Sequence, residues 1–336
     1  MVTTQRFFHE EYSMETGDQV VHAPAPKWRG IFYYVRGKLT HRPKLLNLEF
    51  TKHCNAKCSF CACWQVESPG ELQDYSDVVK RFKPLVCSVS GGEPLLRHNY
   101  DQLLTGIRPH CHYLMIITNG ALLNEISAAK LVKAGVDQIS VSLDYIGNGH
   151  SEQRKIEGLY EHLEATVPAL TKRGYNIVLN TIIMESNLDH IIPLAHKARE
   201  WGAKISYSSY CTLKKDLNEF MVTPGRFEEL KRVIGELKQI KRKTKHIRNS
   251  DYYFDRIPEY FQNGGISNCH AGKLWMQVTP DGYIQQCSEL PRVAHYTEYS
   301  TKKVKKPACT KCWYACRGET EANPLRPSRL KELLAL

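Results

Sequence analysis

The sequence predicts an α/β protein: a partial (β/α)6 barrel followed by a small cysteine-rich α+β domain with a β-hairpin. Three observations predict it. From about residue 45 to 210, short apolar runs rich in β-formers alternate with longer amphipathic ones, the mark of parallel strands covered by helices. Polar and glycine residues recur just beyond the strand-like runs, on the rim where α/β barrels carry their chemistry. The alternation then stops, and cysteines gather in a tail whose Pro280-Asp281-Gly282 is a strong turn between two alternating runs.

The elements are expected in this order. Residues 1–44 form an N-terminal extension, in which Trp28–Lys38 mixes aromatic with basic residues. That segment reads as a helix across the bottom of the barrel, with peripheral membrane contact as the alternative. The barrel itself spans 45–215. Strand-like Leu45–Phe50 leads into Cys54, and Pro84–Ser90 opens into Gly91-Gly92-Glu93-Pro94. Tyr113–Thr118 ends at Thr118-Asn119-Gly120, and Gln138–Leu143 ends at Ser142-Leu143-Asp144. Asn176–Ile183 contains Asn180, and Lys204–Tyr210 is the sixth run. Helical patterns at Leu72–Phe82, Leu122–Ala134, Gly158–Arg173 and Asp189–Trp201 separate them. Residues 216–265 read as a helical connector with a basic surface, and 266–336 as the cysteine-rich domain.

A chain of 336 residues has ample core for this plan, and 24% charged residues is ordinary for a globular protein. No apolar run approaches the roughly eighteen residues of a membrane span. The N-terminus lacks the basic-then-apolar layout of a secretory signal, so a cytoplasmic location is expected. The net charge of +11 has its densest run at Lys238–Arg248, first of all a solvated helix end, and nucleic acid is not an expected partner. Twelve cysteines in a reducing compartment do not make a disulfide framework. They fall mainly into two clusters, 54–61 and 269–316, which points to metal or cluster ligation. Cys63, Cys87, Cys111 and Cys211 read as buried residues.

Cys54, Cys58 and Cys61 form a C-x3-C-x2-C run directly after the first strand. Three closely spaced thiolates can hold three irons of a [4Fe–4S] cube and leave the fourth iron open to a substrate. Zinc is the alternative. With Gly91-Gly92-Glu93-Pro94 at the next strand end, the pattern resembles the radical S-adenosylmethionine (SAM) enzymes. The resemblance implies that the open iron chelates SAM, while the glycine-rich edge, with Glu93 and Pro94, lies along the methionyl group and accepts from its ammonium. Phe60 matches the position whose backbone touches adenine. Ser142 and Asp144 match the pair that contacts the SAM carboxylate or ribose. Asn180 matches a polar position on the fifth strand, and Thr118 and Asn119 are weaker matches. Capping or turn roles remain open for Thr118, Asn119, Asp144 and Asn180.

The tail reads C-x12-G-x4-C over Cys269, Gly282 and Cys287, then Cys309, Cys312 and Cys316. It is similar to the opening of SPASM and twitch domains, which implies a second, auxiliary [4Fe–4S] cluster. Cys269, Cys287, Cys309 and Cys312 are the expected ligands, with Cys316 as a substitute; a zinc ribbon is the alternative.

The resemblance implies reductive cleavage of SAM to a 5′-deoxyadenosyl radical that takes hydrogen from an unactivated carbon, with a flavodoxin or ferredoxin-type electron donor as partner. An auxiliary cluster implies an electron sink or a substrate ligand. The expected substrate is a small molecule or lipid-like metabolite, because few residues precede the first strand compared with the family's peptide-modifying maturases. Such a maturase is the second reading, and a non-enzymatic zinc or RNA-binding protein the third. Tyr210, Cys211 and Cys63 are candidates to move a proton or hydrogen at the barrel mouth, against core packing for each.

Overall fold

The structure, a computed structural model, describes residues 27–68, 70–302, 304–327, 329 and 332. Residues 1–26 of the expected extension therefore lie outside the described residues. The chain enters through helix α1 (Lys27–Leu39) and strand β1 (Leu45–Glu49). Alternating helices and strands follow: α2 (Ser76–Phe82), β2 (Val86–Ser90), α3 (Tyr100–Ile107), β3 (Tyr113–Thr118), α4 (Glu125–Lys133) and β4 (Gln138–Ser142). Then come α5 (Asn148–Arg154), α6 (Leu159–Lys172), β5 (Ile177–Ile183), α7 (Ile191–Glu200) and β6 (Lys204–Ser209). The connector holds α8 (Phe227–Thr244), α9 (Asp251–Phe254) and α10 (Ile257–Asn263). The tail adds β7 (Trp275–Val278), β8 (Tyr283–Gln285), β9 (Arg292–His295) and α11 (Ala315–Glu321).

Strands β1 to β6 pair in parallel in sequence order, which is the partial barrel. Along β3 and β6, half-buried side chains alternate with fully buried ones. Period two puts one set towards the barrel interior and the other under the helices. Tyr113, Met115 and Ile117 thus face inward, while Leu114 and Ile116 join the helix-side core.

Local chemistry sets the helix starts later than the apolar pattern alone. Asp74 accepts from the Ser76 backbone N–H at 2.8 Å, so α2 begins at Ser76 rather than at Leu72. Asn124 caps α4 by accepting from the Ser127 N–H at 2.9 Å, which delays that start from Leu122. Glu185–His190 makes a tighter turn ahead of α7, in place of a helix running from Asp189.

The tail departs most from expectation. The Pro280-Asp281-Gly282 turn does join an antiparallel pair, β7 and β8. However, β7 also pairs in parallel with β1, Leu45 opposite Trp275 and Leu48 opposite Val278, so a single nine-stranded sheet runs through barrel and tail. Met276, Val278, Ile284 and Trp313 belong to the same core as the barrel strands. Helix α11 then lies across the open seam of the barrel. Its Ala315 N–H donates to Ser208 at the end of β6, at 3.2 Å, and Lys44 before β1 donates to the Thr320 carbonyl at 2.5 Å. Fully buried Arg317 fixes this closure, donating to the Cys312, Ile266 and Ser267 carbonyls and lying over the Trp313 ring at 5.4 Å.

Candidate active site and metal centres

A cavity of about 630 Å³ runs through the barrel, a size within the range of small-molecule sites, roughly 300–1,000 Å³. Cys54, Cys58, Phe60, Cys61 and Cys63 line its upper end, with Gly91 and Gly92. Thr118, Asn119, Ser142 and Asn180 line it from the ends or middles of β3, β4 and β5. Strand ends converge there because parallel strands all finish on one rim.

The glycine pair is shaped by the loop that opens the cysteine run. Gly92 N–H donates to the Thr51 carbonyl and Glu93 N–H to that of His53, both at 2.8 Å. A Cβ at Gly91 would meet the Thr51 carbonyl oxygen, and one at Gly92 that of His53; Gly91 also holds φ +133°. Only glycine allows so close a backbone approach. Gly92→Ala is therefore expected to push the two loops apart and weaken SAM binding by about tenfold or more, as does the loss of an outer-shell partner. Calorimetric titration with SAM checks this.

Two carboxylates stand differently from the expectation. Glu93 does not line the cavity; it is fully buried and accepts from Thr118 Oγ1 and Asn119 N at 2.7 Å and from Leu95 N at 3.2 Å. Burial still pushes its pKa up to about 6. It ties the end of β2 to the end of β3, with both carboxylate oxygens engaged inside the protein. Asp144 is likewise fully buried, accepting from Ile182 N at 2.9 Å and Arg154 Nη2 at 2.5 Å. The group that reaches the cavity from this pair is Arg154, which the sequence reading missed. It ends α5, lies over the Phe60 ring at 5.6 Å, and leaves its buried Nε without a partner. Burial works against its charge, but Asp144, Cys58 and Cys61 more than reverse that and hold its pKa above the ordinary value. Pro94 is buried in the turn after Glu93.

Tyr210 and Cys211 stay outside the cavity lining. Tyr210 donates to the Leu217 carbonyl at 3.0 Å and packs on Phe220, and the Cys211 thiol donates to the Lys311 carbonyl at 3.2 Å. Core packing accounts for both. Cys63 does line the cavity, and its thiol hydrogen-bonds to Cys61.

The residues present fit an iron–sulfur cluster in the first cysteine run. Burial pushes the Cys54 thiol up to about 11 and raises Cys58, so neither ionises readily without a cation; the bond from Cys63 takes Cys61 down to about 5. A bound metal deprotonates such thiols outright. Arg154 and Lys214 supply positive charge alongside, and both line the cavity, Lys214 as an exposed residue. In the tail, Cys269, Cys287 and Cys316 pack in one cluster with Trp275, whose buried indole N–H has no acceptor. Cys312 sits near enough to raise the pKa of Cys287 and Cys316. Cys309 and Cys316 are both half-exposed, but Cys316 packs against Cys269 and Cys287, whereas Cys309 is seen to bear on Cys269 through its charge. Among the described residues no three His, Cys, Asp or Glu side chains converge on one ion.

Comparisons with known proteins agree with this geometry. Residues 48–198 match the family model of the Radical SAM superfamily. The chain is 26% identical over 286 residues to the AdoMet-dependent heme synthase of Methanosarcina barkeri, covering 76% of this chain and 80% of that one. It is 30% identical over 200 residues to the pre-heme d1 synthase of Dinoroseobacter shibae, covering 57% of this chain and 47%, about half, of the relative. Its fold is similar to that of Streptococcus suis SuiB bound to precursor peptide SuiA, with a TM-score of 0.63, 15% identity, and coverage of 87% and 72% of the two chains.

Proposed function

The chain is a member of the radical SAM superfamily, and from that premise we propose that it oxidises or rearranges a small-molecule or lipid-like biosynthetic substrate held in the barrel cavity. The observation that carries this reading is the shared cavity: the three thiols, the glycine edge and Arg154 border the same space as the inward faces of β3 to β6. When bound, a [4Fe–4S] cluster on Cys54, Cys58 and Cys61 with SAM supplies a 5′-deoxyadenosyl radical able to abstract hydrogen from an inert carbon.

The chain's own residues do the rest. Arg154, held by Asp144, aims unspent guanidinium donors at the cavity wall, where a SAM carboxylate would receive them. Phe60 gives an apolar face beneath that guanidinium. Asn119 is fixed by its bond to Asn55 at 2.7 Å, and Ser142 and Asn180 offer polar atoms further down. Helix α11 covers the seam and keeps water from the interior. Cys269, Cys287, Cys312 and Cys316 are the set we assign to an auxiliary cluster, with Cys309 as the spare. Among the described residues, Lys44, Arg154, Lys214 and Arg248 line the cavity against one carboxylate, Glu319, which is itself engaged by Ser250 N at 2.7 Å. That imbalance favours a substrate bearing an anionic group.

A peptide substrate is the second reading, favoured by the peptide bound in the similarly folded SuiB structure. Anoxically reconstituted protein given dithionite, SAM and either candidate peptides or a metabolite and lipid extract separates the two, by which fraction gains a product in mass spectrometry. Arg154→Gln is expected to raise the KM for SAM about 10- to 100-fold, matching the roughly 1.5–3 kcal/mol of a hydrogen bond to a charged group. An unchanged KM in a variant of unchanged Tm would remove Arg154 from the site.

A further inference from the structure

Helix α1 turns two unlike faces to its surroundings. On one, Tyr33 packs on His112 at 5.5 Å between rings, Gly30 approaches the same ring, and Tyr34 lies against the Lys44 amine at 5.5 Å. This face covers the N-terminal ends of β1 and β3. On the other, Ile31, Phe32, Val35 and Leu39 are 66, 54, 49 and 77% exposed. The spacing of 31, 35 and 39 makes one stripe along the helix. Exposed apolar residues elsewhere on the described surface stand singly or in pairs, and scattered ones need no explanation, whereas a contiguous patch does.

Charge identifies what covers the stripe. Every charged residue in Lys27–Leu39 is basic, Arg36 and Lys38 in the last turn, and Arg42 follows. A short apolar stripe flanked only by cations is complementary to an anionic lipid surface, where the apolar face enters the acyl boundary and the cations meet headgroups. At 13 residues α1 is shorter than the roughly 20 that a membrane span needs, so its mode is docking on the surface. We propose that α1 is a peripheral docking element that holds this protein on an anionic membrane. The consequence for the site is direct. The cavity reaches down to Lys44, Leu45 and Val86 at the bottom of the barrel, and Lys44 also touches α1, so the docked face is the one nearest that end of the cavity.

The test is co-sedimentation of the full chain with vesicles of phosphatidylcholine alone and of an equal mixture with phosphatidylglycerol. Binding is expected to the mixed vesicles, at least about tenfold weaker on the neutral ones, and weakened by added salt. Ile31→Ser with Val35→Ser should abolish it while iron content and SAM cleavage stay unchanged, and Arg36→Glu with Lys38→Glu should abolish it by charge alone. Equal binding to both vesicles, or none to either, overturns the proposal. It is also overturned if light scattering finds a dimer that the serine substitutions dissolve, or if those substitutions expose residues 1–26 to protease, since a second copy or the chain's own N-terminus would then own the stripe.

Discussion

Cys58→Ala is expected to abolish release of 5′-deoxyadenosine from SAM, beyond the roughly 10- to 100-fold that losing a mere outer-shell partner of a ligand costs. Cys58 is the middle thiol of the run and lies in a small apolar cluster with Ala56, Phe60, Met184, Tyr210 and Phe220. No other described cysteine stands in for it, because Cys63 is already spent as the hydrogen-bond donor to Cys61. Alanine removes one sulfur from a site that still packs, so circular dichroism should be unchanged while iron bound in this half is lost. Residual SAM cleavage near the wild-type rate would mean that the open-cornered cluster is not here.

Cys287→Ala should have the opposite signature. SAM cleavage persists, uncoupled, while product falls to background and bound iron drops from about eight to about four atoms per chain. The reason is spatial. Cys287 belongs with Cys269, Cys316 and Trp275 to a cluster built on β7 and α11, separate from the rim that carries Cys54 to Cys61. Burial raises the Cys287 thiol pKa strongly, so it too awaits a metal to ionise it. Undiminished product formation would contradict the auxiliary role. Iron, sulfide and product are counted on the same preparation.

Much of this was legible in the chain because the signals are local. Six short apolar runs rich in β-formers mark the barrel strands to within a residue or two, and the rim residues follow from where those runs stop. What failed to show is non-local. Trp275–Val278 reads as one arm of a hairpin, and nothing in it announces a parallel partner as distant as Leu45–Leu48. Glu93 and Asp144 carry the right chemistry at strand ends, yet backbone N–H groups and Arg154 take up their oxygens inside the protein. Arg154 ends a short polar helix with no apolar periodicity to flag it, and only its distance of one short helix from Asp144 hinted at a pair. Cys309 and Cys316 are indistinguishable by spacing; the packing of α11 against β6 and β7 puts Cys316 beside Cys269 and Cys287, which no local signal foretells.

The most direct test is electron paramagnetic resonance of the dithionite-reduced, iron-replete protein with and without SAM. Coordination of SAM at the vacant iron predicts that the signal of one cluster shifts in g values and line shape when SAM is added, and that Cys58→Ala removes that cluster's signal. Superimposable spectra from wild-type protein with its full complement of iron would contradict the assignment of Cys54, Cys58 and Cys61 as a SAM-binding centre.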